Sequence, residues 1–191
     1  MLNTLIELTL LFFVIVDPFM SMGLFFSATK NLSPKERTKT AIIAVSVAVI
    51  LSTLFLIFGT NVLSIMQIEL KDFQVAGGII LILLGIQMAI GKASEDKFSH
   101  QNAKAIAAII GTPLLTGPAT ITTIVISKAN EGILITGLAL IIVFTFTFLL
   151  FYFSPKITKY LGPNITQVIT TLLGMVTISY GVIFIRAGLG F

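Results

Sequence analysis

The stretch FVIVDPFMSM places Asp17 and Pro18 side by side near the middle of an apolar run, Leu5–Phe26. A carboxylate at that depth can accept hydrogen bonds from an ammonium group or carry a proton. A charge at the centre of a membrane helix costs about 2.5–3.5 kcal/mol on insertion scales, so such acids usually face a cavity and serve function. Pro18 has no amide hydrogen and clashes with the carbonyl one turn back, so the helix breaks there. A second break, GTPLLTGPAT (Gly111–Thr120), contains Pro113 and Gly117-Pro118. After each proline a half-helix starts, and its free amide hydrogens and positive dipole end suit an anion. Ser21, Thr116, Thr120, Thr122 and Thr123 add hydroxyls. A cation site beside an anion site is what a zwitterion needs. The candidate substrate-binding residues are therefore Asp17, Pro18, Ser21, Thr116, Gly117, Pro118, Thr120 and Thr123, with Gln87 as a polar lining residue of the third apolar run. A plainer role for Asp17 is to cap the half-helix that begins at Pro18, since Asp is a favoured N-cap and Pro a favoured first residue. The two roles are compatible.

These residues must be held by membrane helices. The chain has 191 residues, 56% hydrophobic and 10% charged, whereas a soluble domain is about a quarter charged. The apolar runs are long and nearly continuous, without strand-period alternation, which predicts an all-α integral membrane protein and not a barrel. Six spans are expected: Leu5–Thr29, Thr40–Ser64, Phe73–Gly91, Lys104–Ser127, Gly132–Phe153 and Asn164–Gly188. The first run has no basic leader and no small-residue cleavage site, so it reads as a retained span.

Internal likeness suggests two inverted three-helix repeats in a single transmembrane domain. Repeat one covers about 1–91, a charged cytoplasmic linker 92–103, and repeat two 104–191. Broken helices open both halves. Gly78 and Gly85 in the third span match Gly174 and Gly181 in the sixth, each pair seven apart. Three helices per half force the second half to enter the membrane from the opposite side, a plan common in secondary transporters. Glycines of this kind also serve close helix packing.

The loops that share one side hold nine basic residues: Lys30, Lys35, Arg37, Lys39, Lys92, Lys97, Lys104, Lys156 and Lys159. The other side holds Lys71, Lys128 and Arg186. The positive-inside rule puts the first set in the cytoplasm and both termini outside a cell membrane. Glu69, Lys71 and Asp72 read as a solvated loop, and His100 as solvated in the linker. Without cysteine there is no disulfide or thiolate site, and one histidine makes a transition-metal site a poor expectation. The basic residues form no nucleic-acid patch, and no nucleotide-binding motif is present, so neither a nucleic-acid partner nor direct drive by ATP is expected.

FFVIVDPF (Phe12–Phe19), FQVAGGIILILLGIQM (Phe73–Met88) and TPLLTGPATITTIV (Thr112–Val125) resemble the three signature stretches of the MarC family, also called the small neutral amino acid transporter type. Family members commonly follow Asp-Pro-Phe or Asp-Pro-Leu with Gly-Asn, where this chain has Met20-Ser21. The resemblance implies six helices and kinship with amino-acid exporters. It implies transport of glycine- or alanine-like substrates, coupled to protons, with sodium the less favoured ion, and no cofactor. An oligomer is compatible with it. The family's name comes from an antibiotic-resistance locus, but the chain has no Trp and three Tyr, a poor lining for a drug pocket. The alternatives are a passive channel or an exporter of other small solutes, drug efflux included. A membrane enzyme is a poor third, because one deep acid comes with no cysteine and no nucleophile elbow.

Overall fold

A computed structural model describes residues 2–90, 110, 111 and 115–190, and the statements below concern these. They form helices without strands. Helix α1, Leu2–Val16, ends at Asp17, and α2, Pro18–Thr29, begins directly after it. The residue before a proline is pushed out of the right-handed helical region, and Asp17 takes a left-handed conformation (φ 39°, ψ 75°). Asp is among the residues that tolerate it.

Helix α3 covers Pro34–Ile65 and starts well before the expected Thr40. The reason is a capping box. The Glu36 amide donates to the Ser33 hydroxyl at 3.3 Å, and the Ser33 amide donates to the Glu36 carboxylate at 3.0 Å. Helix α4, Leu70–Ile90, takes Lys71 and Asp72 into its first turn, where a loop was expected. Helix α5, Pro118–Glu131, is the described part of the fourth span. Pro113, His100 and the 92–103 linker lie outside the described residues.

Helix α6 spans Ile133–Leu189 with a kink at Gly162 (φ 66°, ψ 169°), a conformation that suits glycine. It is therefore two limbs, Ile133–Tyr160 and Asn164–Leu189. The first limb runs through Pro155 instead of stopping at Phe153. Proline inside a membrane helix is tolerated where neighbouring groups surround the freed carbonyl, and the face carrying Leu150, Phe151 and Ser154 is buried. Five helical stretches are long and apolar enough to cross a membrane: Leu2–Thr29, Pro34–Ile65, Leu70–Ile90 and the two α6 limbs. Their outer faces carry bare apolar residues such as Leu10, Leu54, Leu83 and Leu172, as lipid contact requires.

The most intimate helix contact joins α4 to the second limb of α6. A Cβ built on Gly78 would stand 2.5 Å from the Gly181 carbonyl oxygen, and one on Gly85 2.6 Å from that of Gly174. Only glycine lets these backbones meet. As numbers rise on one helix they fall on the other, so the pair is antiparallel. Against the first limb of α6, the aromatic contacts of α1 and α2 keep their order: Phe13 and Phe19 meet Phe146, and Phe25 stacks on Phe151 with ring centres 4.5 Å apart. Here α2 and α6 run parallel.

Candidate functional site

Where α1 meets α2, the polar groups of the chain satisfy one another. Asp17 is only 3% exposed. Its Oδ1 accepts the Met20 amide at 3.1 Å, its carbonyl accepts the Ser21 amide at 3.0 Å, and the Ser21 hydroxyl donates to the Val16 carbonyl at 3.2 Å. The Phe19 amide also faces the carboxylate. Capping thus occupies the amide end of α2. One oxygen is left over: Asp17 Oδ2 is buried without a partner. The Thr170 hydroxyl, on the second limb of α6, faces the Asp17 carboxylate, and its oxygen is likewise buried without a hydrogen-bond partner among the described residues.

The start of α5 is built differently. Gly117 is the N-cap of α5 and supplies no side-chain acceptor to its first-turn amides. Its carbonyl accepts the Ile121 amide at 3.0 Å. Thr116 is buried and donates across to the Ala48 carbonyl of α3 at 3.3 Å. Thr122 and Thr123 donate back to the Pro118 and Ala119 carbonyls at 2.9 and 2.8 Å, so those hydroxyl hydrogens are already engaged. Thr120 is buried, while Pro118 is exposed where Pro18 is buried. Val16 and Met22 beside the α1–α2 junction share one hydrophobic core with Leu115 and Ala119 at the start of α5.

Residues 2–190 of the chain match the family profile described as MarC family integral membrane protein. The chain belongs to the MarC family. It is a multi-pass integral membrane protein. Among similar proteins, a UPF0056 membrane protein of Buchnera aphidicola subsp. Baizongia pistaciae is 31% identical, over 93% of this chain and 88% of its own length. UPF0056 membrane protein YvbG of Bacillus subtilis is 27% identical over 99% of this chain and 95% of its own. An archaeal relative, UPF0056 membrane protein MJ1677 of Methanocaldococcus jannaschii, is 27% identical over 93% and 91%. No solved structure matches.

One polar residue of this MarC protein falls on the face opposite to expectation. Gln87 lies on the exposed face of α4. The buried glutamine of that helix is Gln74, one turn before Gly78 and so on the glycine face. Helical spacing from Gly78 was the signal that could have found it. Thr170 carries the same signal, standing one turn before Gly174. Tyr180 packs against the hydrophobic core, and Asn61 is exposed.

Proposed function

We infer that this MarC protein is a secondary transporter of small neutral amino acids, glycine- or alanine-like, coupled to protons. The observation that carries the reading is the second oxygen of Asp17. Capping α2 needs one acceptor, and Asn or Ser would supply it as well as Asp. A further buried carboxylate oxygen without a partner is costly. A proton or a substrate ammonium group arriving at Oδ2 explains why an acid stands there.

The anion half of the site belongs to α5. Asp17 already fills the amide end of α2, so the substrate carboxylate is left with the uncapped amides of Ala119 and Thr120, assisted by the Thr120 hydroxyl and the dipole of α5. Pro18, Ser21, Thr116 and Gly117 keep the two breaks open, and Thr123 packs behind the second. No Lys or Arg lies near mid-depth in any span, which leaves a buried carboxylate to helix ends and hydroxyls. Gly, Ala, Ser and Thr line one side of the breaks and Phe19 and Leu115 the other, leaving room for a short side chain.

The two halves form inverted repeats with broken first and fourth helices. The reversed pairing of Gly78 with Gly181 and of Gly85 with Gly174 supports this, because exchanging the halves turns each pair into the other. Substrate passes between the halves as they rock.

The function is tested with purified protein in liposomes and a panel of amino acids. Glycine and alanine should accumulate against their gradients when a pH difference is imposed. Alanine should compete with labelled glycine, whereas alanine amide, which lacks the carboxylate, should not. Equal competition by the amide sinks the anion site on α5. Flux that only runs downhill and never saturates replaces the transporter by a channel.

Orientation has its own test. The nine basic residues put both termini outside. A cysteine placed at Asn3 should react with a membrane-impermeant maleimide in intact cells, and one at Ser99 only after lysis. The opposite pattern reverses the topology.

A further inference from the structure

Most buried hydroxyls in these helices donate to the carbonyl one turn back, as Thr29, Thr40, Thr123 and Thr147 do. Ser154 and Thr158, on the first limb of α6, do not. Both hydroxyl oxygens are buried and have no partner. With Phe151 they occupy one helical face, at spacings of three and four residues. Between them stands Pro155, which cannot donate to the Phe151 carbonyl. This face is turned towards α2, because Phe151 stacks on Phe25.

Helix α2 runs parallel to this limb, so one turn past Phe25 the end of α2 reaches the level of Ser154. Arg37 closes that end. Its Nη2 donates to the carbonyls of Thr29 at 3.1 Å and Lys30 at 3.5 Å, and its guanidinium lies 5.7 Å from the Phe26 ring centre. Both hydrogen bonds go to neutral oxygens, and among the described residues no carboxylate pairs with the guanidinium. Its Nε is buried and unpartnered. One cation with a spare buried donor thus closes the end of α2, and two spare buried hydroxyls lie on the α6 face turned towards α2. Lys156 and Lys159 add positive charge on the same stretch of α6.

We propose that Arg37, Ser154 and Thr158 form a binding site for a small carboxylate, separate from the breaks. The Arg37 guanidinium makes it select an anion: an ammonium group could use the hydroxyl oxygens and the freed Phe151 carbonyl as acceptors, but the neighbouring positive charge repels it. The Phe25–Phe151 stack, with both rings fully buried, stands between this site and Asp17. As a waiting position for an amino-acid carboxylate the site rests on the transporter reading; as an anion site it does not.

The chain has two arginines, Arg37 and Arg186, so an arginine reagent reports on this site directly. Wild-type protein in phosphatidylcholine nanodiscs is treated with phenylglyoxal, with and without acetate, and modification of each arginine is followed by peptide mass spectrometry. Acetate at twice its dissociation constant should slow modification of Arg37 about threefold, by occupancy alone, and leave Arg186 unchanged. The double substitution Ser154→Ala with Thr158→Val, which keeps the Arg37 contacts to α2, should abolish the protection. Asp17→Asn should keep it, which separates this site from failure of the transport reading. Equal slowing of both arginines, no slowing of Arg37, or protection that survives loss of both hydroxyls would overturn the proposal. Protection given by phosphatidylglycerol and not by acetate would make a lipid phosphate the occupant and overturn the carboxylate.

Discussion

Asp17→Asn is expected to reduce proton-driven amino-acid uptake to the background of empty liposomes while leaving a folded protein. Asn has the same size, caps a helix as well as Asp, and tolerates the left-handed conformation that residue 17 adopts. Its amide oxygen can still accept the Met20 N–H. The stability cost should therefore stay below about 0.5 kcal/mol, read as an unchanged melting temperature in detergent. What the variant lacks is a group that binds and releases a proton or neutralises an ammonium. Thr170→Val removes the neighbouring hydroxyl and should weaken uptake without abolishing it. Driven uptake at the wild-type rate, with the wild-type response to pH, would reduce Asp17 to a cap.

The second large effect concerns stability. Gly78→Val should cost about 3 kcal/mol or more, beyond the usual range for overpacking, because the obstacle is backbone. The new Cβ would lie 2.5 Å from the Gly181 carbonyl oxygen and 3.0 Å from the Ile185 amide nitrogen, and neither can swing aside as a side chain would. The helices must separate, which forfeits contact along the whole α4–α6 seam. Ala76→Val, on the exposed face of the same helix, is the control and should be close to neutral. The readout is the melting temperature and the monodisperse yield of both variants. If Gly78→Val behaves like Ala76→Val, the close packing of this seam is wrong.

What could be read in the sequence was what proline and glycine do locally. Asp17-Pro18, Gly117-Pro118 and the spaced glycines of α4 and α6 are chemical constraints on the backbone itself, and their neighbours cannot change them. Gln87 was misjudged because a span with apolar residues all round carries no amphipathic phase to say which face is inside. The glycine positions, more than the polar ones, mark the buried face, and they point to Gln74. Pro155 ends a helix by the rules of soluble proteins, but here burial of the Phe151 face carries the helix on to the glycine that can bend. Spacing from Gly174 puts Thr170 on the glycine face, but what it meets was not legible. Its contact with Asp17 joins the first span to the sixth, and no local pattern encodes a meeting across that separation.

The glycine seam also has a history in time. Helix α4 is made early, whereas the partner that fits its glycine face is the last span of the chain. Gly181 follows Gly78 by 103 residues, which at about 5–20 residues per second takes roughly 5–20 seconds of synthesis. Throughout that interval α4 is in the membrane with a groove shaped for a backbone that does not yet exist. Lipid chains or the insertion machinery must occupy the groove and then leave it. A nascent chain stalled before the sixth span would carry its least satisfied surface there, open to the quality-control proteases that patrol the bilayer.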